Sequence, residues 1–371
     1  MIFEFTEEQL AFRQICARFF AEKSSSPEVR RVMETDRGYD SGVWRQMGQQ
    51  LGLQGILIPE RFGGIGGTYV DLAIILEEMG RTIACVPFLA TVGLAVNVLL
   101  HSGDEKAMRD YLPGIASGDI IATATLPISG EIEHAKSIQI QAALVGGSYR
   151  LNGFEPLVLD AHVADLVIVL ANAPGGLSFF AVDVGAGGMS TRLLNTADQT
   201  RKLVSLELFE TPARLIGHEG GAEAIISPIL DIVSVCLAAE QVGGAERCLD
   251  MAVEYAKERI QFGRAIGSFQ AIKHMCADLL LEVESAKSAC YYAAWTAENE
   301  SSELPVVASL AKAYCSDTYV LAAGNNIQIH GGIGYTWEVD CHLLFKRAKS
   351  GEAMFGTPHH HRAAVAERLG I

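Results

Sequence analysis

The spacing of hydrophobic and polar residues changes character twice along this 371-residue chain. Before residue 119, apolar positions recur at helical intervals, and a capping box at Thr6–Gln9 begins the first helix. From there to about residue 215, short β-branched runs alternate with Gly, Asn and Asp turns, which predicts antiparallel strands. Further helices are predicted over 41–52, 70–83, 88–101, 104–112, 222–258, 268–298 and 304–330, and from about 339.

These patterns predict an α+β chain with three domains. An N-terminal helical domain covers 1–118, a central antiparallel β domain covers 119–220, and a C-terminal four-helix bundle covers 221–371. Between two early helices lies PERFGGIGG (59–67), which lacks the G-x-G-x-x-G spacing of a dinucleotide site. We interpret it as a tight turn.

Composition narrows the class of protein. The chain is 49% hydrophobic with a net charge of -15, which supports a large core and excludes non-specific binding to nucleic acid. The acidic, amphipathic N-terminus resembles no signal or transit peptide, and no apolar run is expected to reach the roughly 20 residues of a membrane helix. Eight scattered cysteines without a C-x-x-C pair are typical of reduced core thiols. We therefore expect a cytoplasmic protein.

The stretch ERIQFGRAIGSFQ (258–270) is the first candidate ligand site. Arg259 could present its planar fork to a pyrophosphate, Gln261 could bond a ribose or ribityl chain, and Phe262 could pack on a flat ring. Spacing alone favours a helix break with a solvated Arg and a core Phe.

A second candidate is QIHGGIGYTWE (328–338), where Gly331 and Gly332 would let the backbone approach a ligand closely. Taken alone, this stretch is better explained as a glycine helix cap followed by a turn.

Together the two stretches resemble the C-terminal signatures of the acyl-CoA dehydrogenase family. FTEEQLAFR, GLQGILIPERFGG, YLPGIASGD, YRLNG and ADQTRKLVSLELF also resemble that family, in the right order along nearly the whole chain. The resemblance implies the acyl-CoA dehydrogenase fold, a tetramer assembled through its helical bundles, and FAD shared across a subunit interface. It also implies an acyl-CoA substrate and an electron-transfer flavoprotein as acceptor.

By motif position, the resemblance assigns seven residues to FAD. Arg259, Gln261 and Phe262 would reach a neighbouring subunit's FAD. Gln328, Gly331 and Gly332 would hold the ADP half of that FAD, and Gln270 would lie near its flavin.

The catalytic base of the family has no counterpart at the usual position. The family's Tyr-Glu-Gly-Thr turn reads Met354-Phe355-Gly356-Thr357 here, so Phe355 stands where the Glu would be. Some members place the base on the helix before the Arg-x-Gln-Phe-Gly motif, and that position is Val233. Asp231 and Glu240 lie nearby and are the secondary candidates, although a structural or interface role suits Glu240 better.

The turn continues into three histidines, 359–361. Adjacent helical residues point about 100° apart and cannot all face one ion, so we expect no metal site there.

The β domain departs from the family as well. The segment 124–134 lacks the family's Thr-Glu-Pro…Gly-Ser-Asp pattern, and Pro156–Leu159 offers no hydroxyl to a flavin. Elements that would serve the chain's own flavin are therefore altered, whereas those that would serve a neighbour's are retained.

This asymmetry resembles the base-lacking subunit of heterotetrameric acyl-CoA dehydrogenases from actinobacterial steroid degradation, with bulky thioesters such as steroid side-chain CoA as substrates. Two alternatives stay open: a self-sufficient homotetrameric dehydrogenase with a relocated base, and a purely structural or binding subunit.

Overall fold

The structure is a computed structural model that describes residues 5–130, 138–299 and 302–371. The chain divides into two compact units. The first comprises Met1–Arg30, Tyr69–Ala84 and Ser234–Ile371, and the second comprises Arg31–Thr68 and Cys85–Val233. The three-domain division stays a prediction, but the order of a helical N-terminal part, a central β part and C-terminal helices is confirmed.

The helices of the described residues follow the predicted periodicity closely. In chain order they are α1 (Glu7–Lys23), α2 (Ser26–Met33), α3 (Ser41–Gln49), α4 (Tyr69–Arg81), α5 (Asn97–His101), α6 (Glu105–Ala116), α7 (Ala222–Glu258), α8 (Gln270–Asn299), α9 (Leu304–His330), α10 (Cys341–Ala353) and α11 (Pro358–Arg368).

Local hydrogen bonds explain two helix features. The predicted capping box of α1 is present, because Thr6 and Gln9 each accept the other's backbone N–H at 3.1 Å. A π-helix over Leu89–Val96 precedes α5. Its widened turn is accompanied by the buried Asn97, whose Nδ2 donates to the carbonyls of Val92 and Gly93.

The second unit is built around a seven-stranded sheet. Its strands are β1 (Ala122–Ala124), β2 (Gln141–Val145), β3 (Ser148–Leu159), β4 (Leu166–Ala173), β5 (Gly176–Asp183), β6 (Met189–Leu193) and β7 (Leu203–Ile216).

The sheet is mixed rather than purely antiparallel, so that part of the prediction is wrong. Strand β4 pairs in parallel with both β1 and β2, whereas β2–β3, β3–β7, β4–β5, β5–β7 and β6–β7 are antiparallel. The β2–β3 hairpin lies between β1 and β4 in the chain, and β4 runs in the same direction as β1.

Helix α7 passes the length and composition test for a membrane span, with a mean hydropathy of 1.9 in its most apolar window. The expectation that no apolar run is long enough is therefore wrong. Since 72% of that window is buried inside the protein, α7 is a core helix.

In the first unit, α7 carries adjacent glycines where α4 and α9 approach it. A Cβ on Gly243 would lie 1.8 Å from the carbonyl oxygen of Glu77 in α4. A Cβ on Gly244 would lie 2.3 Å from the ring of Tyr319 in α9. These contacts leave no room for a side chain, so helix packing explains both glycines.

We expect Gly243→Ala to lower the free energy of unfolding by about 2–4 kcal/mol, because the methyl group would push α4 away from α7. Gly324 of α9 is the matched control, since a Cβ there meets nothing within 4 Å. Gly324→Ala should raise stability by up to about 1 kcal/mol through helix propensity. Urea unfolding of both variants measures the contrast, and equal effects would contradict the packing argument.

Candidate functional site

The first signature forms an exposed hairpin after α7. Strands β8 (Ile260–Gln261) and β9 (Arg264–Ala265) pair across a two-residue turn. Both turn residues have positive φ, 53° at Phe262 and 76° at Gly263, as a type I′ turn requires. A non-glycine residue is disfavoured in this conformation, yet Phe262 occupies it with 90% of its surface exposed. The prediction that Phe262 is a core residue on spacing alone is wrong.

The hairpin concentrates cationic and aromatic groups on a chain that is acidic overall. The guanidinium of Arg264 lies 4.0 Å from the ring centroid of Phe269, and Phe262 meets the same ring edge-on at 6.0 Å. Neither Arg259 nor Arg264 has a carboxylate partner within the part of the chain that the structure describes. Both guanidinium groups are therefore available to an anionic or planar ligand.

The second signature lies at the end of α9. Gly331 caps the helix with φ 64°, a conformation that explains its glycine. Gly332 has no such requirement, and a Cβ on either glycine would meet nothing within 4 Å. The chain itself thus leaves the space beside these two residues open, which suits close approach by a ligand or another subunit.

A ring stack joins the two signatures. Tyr255, one turn before Arg259, stacks on His330 with centroids 4.2 Å apart and planes 19° from parallel. Beneath it, Ala252, Ala256 and Ile329 form a small buried cluster. The ends of α7 and α9 are thereby held side by side. All seven residues assigned to FAD are exposed at this bundle end or at the start of α8: Arg259, Gln261, Phe262, Gln270, Gln328, Gly331 and Gly332.

The turn over Met354–Thr357 is buried and held by its backbone. Phe355 is 2% exposed with φ 55°, so its phenyl ring is packed in the core while its backbone is strained. The buried Lys312 of α9 donates to the carbonyls of Gly351 at 3.0 Å and Gly356 at 3.2 Å, and to the hydroxyl of Ser316 at 3.0 Å. Burial lowers the pKa of Lys312 to about 7.

The third histidine of the run completes this tether. His361 Nε2 donates to the carbonyl of Phe355 at 2.9 Å, and Nδ1 faces the Ser309 hydroxyl at 3.2 Å. Burial, reinforced by the neighbouring charge of Lys312, lowers the pKa of His361 to about 3. The imidazole is therefore neutral at physiological pH, and its hydrogen bond to the carbonyl of Phe355 stabilises the turn. Among the described residues, no group of three His, Cys, Asp or Glu side chains could hold a metal ion.

The secondary candidates for a base are both buried. Glu240 forms an ion pair with Arg347 at 2.9 Å, with the two side chains 4% and 6% exposed. Breaking such a pair leaves an uncompensated buried charge, which favours a structural role for Glu240. Asp231 is 6% exposed in the first half of α7. As a base, each stays a prediction.

The two altered β-domain stretches line one groove of the second unit. Residues 125–129, 138–139 and 154–157 surround a cavity of about 460 Å³. Residues 131–134 of the first stretch lie outside the described residues. Glu155 is the only ionisable side chain among the described residues that line the groove.

Sequence reasoning missed Lys312, Arg347 and Glu155. A signal existed for Lys312, because a lysine inside the apolar run of α9 is unusual unless its ammonium finds acceptors. For Arg347 and Glu155 the sequence carries no such signal, and only the fold reveals the ion pair of Arg347 with Glu240 and the place of Glu155 in the groove.

Comparisons with known proteins cover nearly the whole chain. The family model for the acyl-CoA dehydrogenase N-terminal domain matches residues 6–119, and the model for the C-terminal domain matches 219–370. Acyl-CoA dehydrogenase IpdE2 of Mycobacterium tuberculosis is 34% identical over 95% of this chain and 94% of its own. The structure of a Tcur3481–Tcur3483 steroid ACAD variant has a TM-score of 0.87 at 29% identity, covering 98% of both chains. The ChsE4–ChsE5 complex from Mycobacterium tuberculosis has a TM-score of 0.88 at 26% identity, covering 100% and 99%.

We expect His361 to make the fold sensitive to acid. The pKa of His361 lies near 3 when folded but at the ordinary value of 6.5 when unfolded, so the unfolded chain binds the extra proton between these values. Its contribution to stability is therefore present above pH 6.5 and falls by up to about 1.4 kcal/mol per pH unit below it.

The test compares urea unfolding of the wild type and His361→Gln between pH 7 and pH 4. The variant should be less stable at pH 7 by about 1–2 kcal/mol, and the difference should shrink or reverse towards pH 4. His359→Gln, an exposed change in the same helix, is the control and should track the wild type. A difference for His361→Gln that does not vary with pH would contradict the assignment.

Proposed function

Because the chain belongs to the acyl-CoA dehydrogenase family, we propose that it is the non-catalytic subunit of a heterotetrameric, FAD-dependent enzyme. In this proposal, the exposed bundle end completes a flavin site whose remaining part belongs to a different, base-carrying subunit. The observation that carries it is the contrast between seven exposed ligand positions and a buried Phe355 at the position of the base.

The charge and the open backbone of the bundle end support FAD as its ligand. Arg259 would bind the pyrophosphate, Gln261 the ribityl or ribose hydroxyls, and Phe262 a ring face, with Gln270 close to the flavin. Gln328 and the open backbone at Gly331 and Gly332 would hold the ADP half. FAD, when bound, supplies the hydride acceptor for α,β-desaturation of an acyl-CoA thioester.

Two features of the described residues disfavour a complete flavin site within this chain alone. A base must come within hydrogen-bond reach of the α proton, and a phenyl ring at Phe355 accepts no proton. In the β-domain groove, the carboxyl of Glu155 stands beside the stretch where the family contacts the flavin. Burial raises the pKa of Glu155 to about 7, so the carboxyl is partly charged at neutral pH, and the charged form disfavours the acceptor-rich edge of a flavin ring. Both features support a role in which catalysis takes place on the partner.

The substrate and acceptor follow from the relatives. Two similar structures, the Tcur3481–Tcur3483 steroid ACAD variant and the ChsE4–ChsE5 complex, are each named after two different proteins, which supports a heteromeric assembly. The name of the first also supports a bulky, steroid-type acyl group. An electron-transfer flavoprotein is the proposed acceptor. The alternative of a self-sufficient homotetramer needs a relocated base, at Glu240, Asp231 or another residue, and the buried ion pair of Glu240 with Arg347 disfavours Glu240 in that role. A purely structural subunit would not explain why Arg259 and Phe262 are exposed at the bundle end.

We expect the chain purified alone to contain no stoichiometric flavin, and its complex with the partner to be yellow with about two FAD per four chains. The absorption spectrum near 450 nm and the mass of each assembly, measured on the chain alone and after co-expression, provide the test. A yellow homotetramer with one FAD per chain would reject the partner-subunit proposal and reopen the search for a base at Glu240 and Asp231.

Arg259→Ala should weaken FAD binding by the complex about ten- to a hundredfold, because a charge-assisted bond to the pyrophosphate is lost. The matched control is Arg109→Ala, whose side chain is 68% exposed and pairs with Glu105 one turn away. Flavin release on dilution, followed by fluorescence, measures both variants. If Arg259→Ala retains flavin as tightly as Arg109→Ala, the shared-site proposal fails, and a purely structural or binding subunit is favoured instead.

A further inference from the structure

A polar cavity lies in the first unit, lined by the ends of α1 and α4, the second half of α7 and the start of α10. Its volume of about 390 Å³ falls within the range of ligand pockets. Hydroxyl and ionisable side chains form much of its wall, among them Ser24, Glu78, Thr82 and Arg247. None of the residues assigned to FAD lines it, and the undescribed stretches of the chain adjoin none of its lining segments in sequence.

Two of the charged groups on this wall are already paired within the chain. Arg81 forms ion pairs with Glu246 at 2.7 Å and with Asp250 at 2.6 Å. Asp340 accepts hydrogen bonds from the guanidinium of Arg30 at 3.1 Å and 2.5 Å. A ligand would gain little from these groups, because it would have to displace an existing partner.

Glu78 and Arg247 lack comparable pairing. The side chain of Glu78 is 9% exposed, and its ion pair with Arg13 is long, at 3.9 Å, because Arg13 donates instead to Glu77 at 2.7 Å. Burial and the charge of Glu77 raise the pKa of Glu78 to about 7. Arg247 is half-buried, and its guanidinium forms no ion pair or hydrogen bond with the residues that the structure describes. Each group has therefore lost hydration without gaining a close partner of opposite charge.

We infer that this cavity binds a small zwitterion of the amino-acid class, with the ligand's carboxylate on Arg247 and its ammonium on Glu78. The two protein groups have opposite charges and project from different helices, α4 and α7, into one cavity. A single ligand that carries both charges can make a charge-assisted hydrogen bond to each group. A ligand with only one charge would leave the other protein group desolvated and unpaired. The inference does not depend on the flavin proposal, since it uses none of the residues assigned to FAD.

Three probes that differ only in their charged ends test it: 4-aminobutyrate, butyrate and n-butylamine. Ligand-observed NMR titration of the full chain in its purified assembly gives each dissociation constant at pH 8, where Glu78 is mostly ionised. We expect 4-aminobutyrate to bind at least about tenfold more tightly than either of the other probes, because only this probe pairs with both groups. A smaller preference, or no binding of 4-aminobutyrate, overturns the inference.

Two charge-removing variants assign the two ends of the ligand. Arg247→Gln should weaken 4-aminobutyrate binding about tenfold and leave n-butylamine as in the wild type, whereas Glu78→Gln should weaken it similarly and leave butyrate unweakened. Because each variant keeps the affinity for one probe, a misfolded variant is recognised at once. Arg109→Gln and Glu223→Gln, both exposed changes, are the matched controls and should change none of the three affinities. The inference fails if Arg247→Gln or Glu78→Gln binds 4-aminobutyrate as tightly as its control does.

Discussion

The adjacent glycines of α7 impose the constraint on which the candidate site depends. Gly243 admits the backbone of α4, and Gly244 admits the ring of Tyr319 from α9. Because neither position has room for a Cβ, the relative placement of α7 and α9 is fixed at this crossing. Both helices then continue to the bundle end, where the Tyr255–His330 stack holds them together again. Arg259 and Gln328 owe their common surface to these two contacts.

The residues assigned to FAD are exposed, whereas the turn at Phe355 is buried. This difference in exposure could not be predicted from the sequence. The residue types of both signatures could be recognised, and their helical ends could be located. Spacing alone, however, predicts Phe262 in the core, because a phenylalanine in a helix break is usually buried. In the structure, Phe262 lies on the two-residue turn of the β8–β9 hairpin, and its ring is exposed. A positive φ does not decide exposure, because Phe355 also has a positive φ and is buried.

Periodicity predicts the helices well and the sheet less well. Strand β3 is hard to delimit from the sequence, because SYRLNGFEPLVL contains Gly153 and Pro156 and follows no regular alternation. Register shifts occur in its pairing with β7 around both places. The parallel pairing of β4 is hidden for another reason, since pairing direction is decided by the path of the chain between strands and not by the strand's own residues. Long-range partners such as Arg347 for Glu240 are hidden for the same reason.

The turn at Phe355 is held by contacts that do not involve the side chain of residue 355. Lys312 and His361 hold this turn through the backbone carbonyls of residues 351, 355 and 356, so none of those bonds requires a carboxylate at 355. A strained backbone costs about 1–3 kcal/mol, and burial of a phenyl ring contributes a similar amount in the opposite direction. A buried glutamate would need a partner or a substrate to offset its desolvation, whereas a phenylalanine needs only apolar neighbours. The turn therefore keeps its shape, and with it the packing of α9 against α10 and α11, without a carboxylate at residue 355.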